Sequence, residues 1–575
     1  MSERADSQRL FVTGIDTVNP LAHDINTTVK RLARRHVAIR SANGPGDVLE
    51  DYADLGYPSV IADVRDFDIG THLRKLRFGE DEIIKVTGTT KRPNGADHLS
   101  AQLFVAASAG ALRMAKVLTG KSLRVSEDQE ASFGVISATG TGGILEVENG
   151  VKSKLGRIPP IDLDQFGQKL REANPDLGDR LIDGILGRAE GDQKEALAEA
   201  LKKVPDLGEV IYDLITKNAP EVEAEVREHL GLPQKDKRSQ DGIYLLLPGR
   251  VDEVADILFG GRAINDTQAT ECAAGLSAIF IASLLMRDGY AGMMLAGGTE
   301  SATDKITADY FRGIKAVTRT KDPRVAGIPF GHYDPIEKEV GFVLGEGAAA
   351  LNIETKEHLE ERVRKGARPV VLAELLGFGA SADAFHVSFP SRYGQRDAIL
   401  SALAHAGLDP EAMQNIVIGG HATATGPADA HEVRSVSDVF RPDQILAMNS
   451  IKGFIGHLLG AAGAATAATN LWAARKNLLL PNRPNLRLTK GGNLVEAQMM
   501  PDRMISDLLS IPGVGTDFPD PELWRPKLIT RAQTVENIGH VILMGFGFGG
   551  KNRVVIADTN MDEINSYLED LALAA

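Results

Sequence analysis

Hydrophobic and polar residues alternate with two periods along this chain of 575 residues. Short apolar runs that end in glycine are typical of buried strands. Stretches with apolar residues three and four positions apart predict helices. The predicted strands lie at residues 10–19, 131–144 and 292–301, and the predicted helices at residues 22–41 and 98–118. Residues 265–289 predict a short strand and then a helix buried almost all round, so the alternation indicates an α/β fold.

Residues 151–240 depart from this alternation. They are rich in Lys, Glu, Asp and Leu at helical spacing, as in DQKEALAEALKKV at 192–204. Pro and Gly divide them into about four short helices. We therefore predict an inserted helical subdomain here. A second irregular segment, rich in Pro, Gly and polar residues, is predicted at residues 485–535.

The overall composition is that of a soluble globular protein, with 43% apolar and 25% charged residues. The net charge of −14 argues against a nucleic-acid or anionic-membrane partner, because either would need a broad basic surface. No apolar run reaches the roughly 18 residues of a membrane span, and the opening MSERADSQRL lacks the apolar core of a signal peptide. One cysteine cannot form an internal disulfide, which favours the reducing cytoplasm.

That single cysteine, Cys272, stands at the predicted first turn of the buried helix, in DTQATECAAG. The free N–H groups and partial positive charge of a helix N-terminus favour thiolate over thiol. We therefore expect a reactive nucleophile. The alternative is a small buried hydrophobic residue, which is the ordinary role of a free cysteine.

Two histidines also stand next to small, glycine-rich segments. His421 follows a predicted strand in VIGGHATATGPADAHE. His457 lies in a glycine-bounded turn in NSIKGFIGHLLGAAGAA, five positions after Lys452. Taken alone, each histidine fits a structural or solvated residue, but with a cysteine at a helix start they form a candidate catalytic set. Their surroundings offer no carboxylate or thiolate ligand set, so we expect no metal.

The segment GFGFGGKN at residues 545–552 places Phe546 and Phe548 between glycines. This composition fits a turn between core strands. It also fits a flexible gate that moves a ring over a substrate pocket, with Gly547 and Gly549 supplying the flexibility. In that case the backbone N–H groups of the loop could help to stabilise an oxyanion.

Together these segments resemble the β-ketoacyl-acyl-carrier-protein synthases, the elongating condensing enzymes of the thiolase superfamily. The resemblance is ordered and runs from residue 10 to about residue 558. The matching segments are RLFVTGIDTVNP, ATECAAG, AGGTES, YDPIEKEVGFVLGEGAA, GFGASADAFHVSFPS, GGHATATGPADAHE, SIKGFIGHLLGAAGAA and GFGFGGKN.

The resemblance implies an α/β fold of the thiolase type, in which a duplicated unit forms five αβαβα layers. The N-terminal half, with the cysteine, would comprise residues 1–150 and 241–330. The C-terminal half, with both histidines and the gate, would comprise residues 331–575. Residues 151–240 would interrupt the first half, and we predict that they form a helical cap beside the active-site entrance. A solvent-exposed decoration is the alternative.

The implied reaction is decarboxylative Claisen condensation of an acyl-enzyme with malonyl-acyl-carrier protein, which gives 3-oxoacyl-acyl-carrier protein without a cofactor. By resemblance, Cys272 carries the acyl group, and its backbone N–H and that of Phe548 bind the oxyanion. Neutral His421 and His457 would donate hydrogen bonds to the malonyl thioester oxygen. Lys452 would orient this network.

Other residues receive supporting roles from the same resemblance. Thr423 and Thr425 match positions that line the malonyl site. Asp429 and Glu432 would be structural supports. The basic residues near the family's carrier-docking positions are Lys85, Lys91 and Arg92. A solvated basic loop is the alternative for these three.

Four positions depart from the family pattern. Ala422 stands where a glycine is usual after the first histidine, and Glu271 stands where a small residue is usual before the cysteine. Lys551 replaces a usual Thr in the terminal loop, and Thr466 replaces a Glu found in many elongating members. No catalytic group is removed, but Glu271 and Thr466 alter the expected charge balance around Cys272 and Lys452.

The resemblance also indicates which kind of thiolase-superfamily protein this chain is similar to. Thiolases use a second cysteine, initiating synthases use Cys-His-Asn, and chain-length factors lack the cysteine, so Cys-His-His elongation is favoured here. A homodimer and an acyl-carrier-protein partner are implied. The alternatives are a non-catalytic or decarboxylase-only partner of an active ketosynthase in a heterodimer, and a specialised synthase for polyketides.

Overall fold

The computed structural model describes residues 8–41, 60–64, 67–90, 99–140, 250–303, 305–331, 340–386, 388–489 and 491–574. All of these belong to one compact unit. The predicted insertion at residues 151–240 lies outside the described residues, as do Lys91 and Arg92, so the expectations for them stay predictions.

The described strands are β1 (Leu10–Val18), β2 (Arg40–Ser41), β3 (Val60–Ile61), β4 (Phe133–Ala138), β5 (Asn265–Gln268), β6 (Met293–Ser301), β7 (Glu346–Thr355), β8 (Ala373–Ala382), β9 (Ile416–Gly419), β10 (Ile445–Asn449), β11 (Leu478–Leu479), β12 (Leu486–Leu488), β13 (Leu494–Glu496), β14 (Gln533–Thr534), β15 (His540–Gly547) and β16 (Lys551–Asp558).

The described α-helices are α1 (Ile25–Ala33), α2 (Ile69–Lys75), α3 (Glu80–Thr90), α4 (Leu99–Met114), α5 (Glu127–Glu130), α6 (Arg250–Phe259), α7 (Ala274–Arg287), α8 (Lys305–Gly313), α9 (Lys356–Arg364), α10 (Arg392–Ala406), α11 (Pro427–Ser437), α12 (Lys452–Ile455), α13 (Ala462–Ala474), α14 (Asp502–Leu509), α15 (Pro521–Trp524) and α16 (Asp562–Ala574). Single 3₁₀ turns precede two of them, at Glu271–Ala273 before α7 and at Leu459–Ala461 before α13.

Ten of the described strands form one sheet in the order β10-β9-β15-β16-β8-β1-β7-β6-β4-β5. The two halves of this order repeat one topology, because β1-β7-β6-β4-β5 and β8-β16-β15-β9-β10 use their strands in the same chain sequence. The pairing directions also repeat: the first two pairs in each half are antiparallel and the last two are parallel. The halves join where β1 and β8 pair over two residues. The duplication implied by the family resemblance is therefore visible in the topology.

Two helices at the centre explain why the strands are buried on both faces. α7 and α13 contact each other, and both contact strands of both halves. Gly275 and Gly463 permit this approach, since a Cβ on Gly275 would lie 2.5 Å from the backbone N of Ala464. The small residues of α13 are almost all buried, which an interior helix requires.

The outer layers complete the arrangement. α4, buried along nearly its whole length, and α6 cover the outer face of the first half-sheet. α10 and α11 pack on the outer face of the second half-sheet. The resulting order of helix, sheet, helix, sheet and helix confirms the predicted thiolase-type α/β fold.

Two expected boundaries are wrong. β7 belongs to the first half-sheet, so the halves meet between residues 355 and 373 and not at residue 330. The sequence gives no periodic break there, because strands of both halves are equally apolar. The helix expected over residues 22–41 is only α1, Ile25–Ala33, capped by the Asp24 side chain and ended before Arg35, whose φ is 59°. Among the described residues, no helix is long and apolar enough to cross a membrane.

Candidate active site

Cys272 lies in a sharp turn between β5 and α7. The 3₁₀ turn Glu271–Ala273 precedes the helix, and the φ of Glu271 is 47°, a left-handed conformation that a side chain rarely adopts. The Cys272 side chain is buried. The turn thus places the thiol at the start of the central helix, where the sequence predicted it.

His421 lies in the loop between β9 and α11, and two buried carboxylates of α11 hold this loop. Glu432 accepts hydrogen bonds from the backbone N–H of His421 at 2.6 Å and of Ala422 at 2.7 Å. Asp429 accepts from the N–H groups of Thr423 and Ala424, each at 3.1 Å. These contacts fix the course of the loop backbone, which is the supporting role inferred for both carboxylates.

His457 occupies the turn between α12 and α13. The backbone N–H of His457 donates to the carbonyl of Val343 at 2.7 Å. The His457 ring packs edge to face against the Phe342 ring, with the ring centroids 5.0 Å apart. The residue is fully buried, yet neither ring nitrogen has a hydrogen-bond partner among the described residues. An unsatisfied buried polar group costs about 1–3 kcal/mol. The two nitrogens are therefore available to a bound substrate.

The fold brings Cys272, His421 and His457 together. The cysteine sulfur and one nitrogen of each histidine lie within 4.8 Å of one another. The two histidine rings are 5.7 Å apart and nearly perpendicular. Such distances would also suit a metal ion, whereas the nearby positive charge of Lys452 disfavours a cation at this place.

Burial shifts the pKa values of all three catalytic candidates. Burial raises the pKa of Cys272 to about 12; the nearby Lys452 charge lowers it, and Glu271 and Glu300 raise it further. Desolvation therefore opposes the thiolate that the helix start was expected to favour, and the nucleophilic role of Cys272 stays a prediction. Burial, with the charge of Lys452, lowers the pKa of both His421 and His457 well below the usual value, so both imidazoles are neutral at pH 7.

Lys452 begins α12 and contacts the histidine loop. Its ammonium donates to the carbonyl oxygen of His421 at 2.6 Å. Burial lowers the pKa of Lys452, and the negative charge of Glu432 opposes this shift. Burial likewise raises the pKa of Glu432. The lysine thus holds the His421 backbone and also supplies the positive charge that favours the Cys272 thiolate.

The predicted gate is the hairpin between β15 and β16. Gly547 pairs with Lys551, which leaves Phe548, Gly549 and Gly550 as its tip. Gly549 and Gly550 have φ near 73°, a conformation natural to glycine. Before the tip, the Phe546 ring lies 5.7 Å from that of His421. The half-buried Phe548 ring lies 6.1 Å from that of Phe311, beside the thiol.

One pocket opens onto all three catalytic candidates. Thr423 and Thr425 line it, with their hydroxyls 2.9 Å apart. Sequence reasoning missed several of its other lining residues, which are Ile314, Lys315, Phe342, Asp383, His386, Ser388, Gln395 and Asn552. Several belong to the segments GFGASADAFHVSFPS and YDPIEKEVGFVLGEGAA, whose family resemblance gave the only available signal.

The remaining singled-out residues lie as follows. Lys85 forms an exposed ion pair with Glu82 at 2.7 Å. Thr466 is buried in α13, beside Gly419 at the end of β9. Two of the departures from the family pattern, Glu271 and Lys551, form an ion pair with each other.

Comparison with protein-family models identifies two adjacent matches. Residues 233–358 match the N-terminal domain of β-ketoacyl synthases, and residues 372–486 match the C-terminal domain. Among curated proteins, the putative mitochondrial 3-oxoacyl-[acyl-carrier-protein] synthase of Schizosaccharomyces pombe is 36% identical over 231 residues, which are 39% of this chain and 51% of the relative. The 3-oxoacyl-[acyl-carrier-protein] synthase 2 of Coxiella burnetii is 33% identical over 41% of this chain and 56% of the relative. The chain thus spans about half the length of these relatives.

Two solved structures share the fold. One is a type II PKS acyl-carrier protein in complex with its ketosynthase, with a TM-score of 0.60 and 17% identity over 96% of this chain and 99% of the other. The second is a β-ketoacyl synthase from Burkholderia phymatum, with a TM-score of 0.59 and 19% identity over the same shares.

Proposed function

Because this chain belongs to the β-ketoacyl synthase family, we propose that it condenses an acyl-enzyme with malonyl-acyl-carrier protein to give 3-oxoacyl-acyl-carrier protein. One observation carries the proposal. A fully buried histidine, His457, keeps both ring nitrogens unpartnered beside the thiol of Cys272 and the ring of His421, in a pocket that opens to the surface. Among the described histidines, His457 is the one whose two ring nitrogens are both buried without a partner, whereas His72, outside the pocket, leaves one nitrogen without a partner.

Acyl transfer is the first step. The sulfur of Cys272 attacks the carbonyl carbon of an acyl thioester, and its proton passes to a neutral imidazole within 4.8 Å. The tetrahedral oxyanion accepts hydrogen bonds from the backbone N–H groups of Cys272 and Phe548. The carbon–sulfur bond to the carrier then breaks, and the carrier thiolate takes up the proton. No proton is gained or lost overall.

Condensation follows in the same pocket. Loss of CO₂ from the malonyl thioester leaves an electron pair in an enolate, whose oxygen accepts hydrogen bonds from His421 and His457. The enolate carbon attacks the acyl carbonyl, the new carbon–carbon bond forms, and the Cys272 sulfur leaves. One proton, ultimately from water, restores the thiol. Thr423 and Thr425, which line the pocket, are assigned to the malonyl site.

The charge of Lys452 gives a pH-dependent prediction. The pKa of Lys452 is lowered to about 8, so its positive charge is present below that pH and is lost above it. We expect Lys452→Met to slow alkylation of Cys272 by iodoacetamide about tenfold below pH 8, because one pKa unit of thiol shift is one decade. The two rates should converge above pH 8, where neither protein carries the charge.

The measurement is the alkylation rate of Cys272 between pH 6 and 9.5, followed by intact mass. Since the chain has one cysteine, each mass increment reports on Cys272 alone. A constant ratio of the two rates across this range would contradict a titrating Lys452.

Carrier recognition is proposed at the mouth of the pocket. Lys315 is exposed and lines that mouth, whereas the ammonium of Lys85 is engaged by Glu82. An acidic carrier helix would therefore meet Lys315 first. We expect Lys315→Glu to raise the KM for carrier-bound substrates about tenfold and to leave the KM for small acyl thioesters unchanged.

Lys85→Glu is the matched control, since it makes the same charge change on another exposed lysine. Equal effects of the two variants would show a general charge effect and not a docking contact. An unchanged KM in Lys315→Glu would exclude this residue from carrier recognition.

Assembly and location are also proposed. β5 is one of the two end strands of the ten-stranded sheet among the described residues, and its outer edge could pair with β5 of a second copy. We propose a homodimer on this basis, which sedimentation velocity would test. The single free thiol suits the cytoplasm, while the mitochondrial name of the yeast relative offers the alternative, to be decided by imaging a tagged chain.

A further inference from the structure

Two residues that depart from the family pattern contact each other across 280 positions of sequence. The Lys551 ammonium donates to Oε1 of Glu271 at 2.7 Å and to Oε2 at 2.6 Å. Each departure alone looks unfavourable, because Glu271 adds a negative charge beside the thiol and Lys551 adds a positive charge to the gate. In the ion pair, the negative charge of Glu271 and the positive charge of Lys551 cancel.

The pair connects two parts of the active site. Glu271 immediately precedes Cys272 in the strained turn, and Lys551 is the first residue of β16, directly after the gate tip. Close packing accompanies the pair, since a Cβ on Gly547 would lie 2.8 Å from the carbonyl oxygen of Thr270. The hairpin base therefore lies against the turn that carries the nucleophile.

A second anchor holds the other side of the hairpin. Asp383 accepts from the Asn552 side chain at 2.6 Å, and its N–H donates to the Gly550 carbonyl at 3.0 Å. A Cβ on Gly549, by contrast, would have open space around it. With both sides of the base fixed, movement of the gate is confined to Phe548 and Gly549.

Stability does not explain the pair. The side chains of Lys551 and Glu271 are 40% and 37% exposed, and ion pairs at such exposure contribute little to folding. Its position does suggest a role, since the two oxyanion N–H groups belong to Cys272 and Phe548, on the two segments that the pair connects.

We propose that Glu271 and Lys551 are positioning residues, whose ion pair holds the gate base against the nucleophile turn and neutralises the charge beside the thiol. The oxyanion part of this role rests on the proposed condensing function. Geometry and charge can be separated, because Glu271→Gln and Lys551→Thr break the same contact but leave opposite charges behind.

Hydrogen exchange tests the geometry without requiring any activity. We expect the gate peptide, residues 545–552, to exchange about three- to tenfold faster in both single variants than in the wild type, because the base loses an anchor. The double variant Glu271→Lys/Lys551→Glu restores an ion pair and should restore slow exchange. Lys365→Thr is the matched control, since Lys365 also forms exposed ion pairs, with Asp128 and Glu361.

Alkylation of Cys272 tests the charge. Exchange of the gate peptide shows how far each single variant loosens the gate, and at equal exchange a difference in alkylation reports on electrostatics. We expect Glu271→Gln to react about three- to tenfold faster than Lys551→Thr at pH 7, because only the latter leaves an uncompensated carboxylate beside the thiol. Acyl transfer, if measured, should fall about tenfold in both, since misplaced oxyanion donors lose catalytic effect.

The outcomes separate the two ideas. Unchanged exchange in both single variants overturns the positioning role, and equal alkylation rates overturn the charge compensation. If the wild type transfers no acyl group from any donor, the proposed function fails, while exchange and alkylation still decide the role of the pair. Melting temperatures within about 4 °C of the Lys365→Thr control exclude general unfolding as the cause.

Discussion

Cys272→Ala is expected to eliminate the acyl-enzyme and to lower the condensation rate by at least about 10⁴-fold. In the proposed mechanism every acyl group passes through the Cys272 sulfur, and the chain has no second cysteine to replace it. The oxyanion hole and the two histidines would remain in place, but they offer no covalent route. The acyl-enzyme is measured by intact mass after incubation with a panel of acyl-carrier thioesters, and the product by its own mass.

Circular dichroism checks that the Cys272→Ala variant folds. We expect it to fold, because alanine differs little from cysteine in side-chain volume. A Cys272→Ala protein that still makes 3-oxoacyl product would refute covalent catalysis. A different outcome would point to another function: if the wild-type cysteine accepts no acyl group from any donor, the chain is a non-catalytic or decarboxylase-only partner of an active ketosynthase.

The second large effect concerns the histidines. His421→Ala and His457→Ala are each expected to accept an acyl group but to lose malonyl decarboxylation by about 10²–10³-fold, the usual cost of one oxyanion donor. Each variant keeps one neutral imidazole within 4.8 Å of the thiol, so a proton acceptor remains. The enolate oxygen, however, loses one of its two donors. Acyl-enzyme is followed by mass and decarboxylation by CO₂ release.

His72→Ala is the matched control. His72 is also buried with an unpartnered ring nitrogen, and burial lowers its pKa to about 4, but it lies in α2 and does not line the pocket. This variant should lose stability without losing CO₂ release. Normal CO₂ release in both His421→Ala and His457→Ala would contradict the enolate-stabilising role.

The local features of the fold were predicted well from the sequence. Strand β1, helix α4 and the turn before α7 lie close to where the apolar patterns predicted them, because each is encoded by neighbouring residues. The resemblance supplied the order of the motifs, and from it the fold. The convergence of Cys272, His421 and His457 could be inferred only through that resemblance, since 185 positions separate the first from the last.

Properties that depend on a residue's surroundings in the folded protein could not be predicted from its neighbours in sequence. The raised pKa of Cys272 results from burial by residues distant in sequence, and a rule based on the helix terminus alone does not include that burial. The compensation between Glu271 and Lys551 is likewise a long-range contact. Each residue was correctly identified as unusual, but nothing local indicated that they meet.

The repeated sheet order has a consequence for how this protein could have diversified. Cys272 follows β5 and His457 follows β10, and these strands hold equivalent places in the two halves. Cys272 lies in a 3₁₀ turn and His457 lies just before one, and each turn leads into a central helix. If the two halves arose by duplication of one unit, both copies began with the same turn. Each copy now carries a different catalytic candidate at this turn. The loop after β9 kept His421, while its counterpart after β4 leads into residues 151–240. The predicted insertion therefore follows β4 in the copy whose loop carries no catalytic candidate.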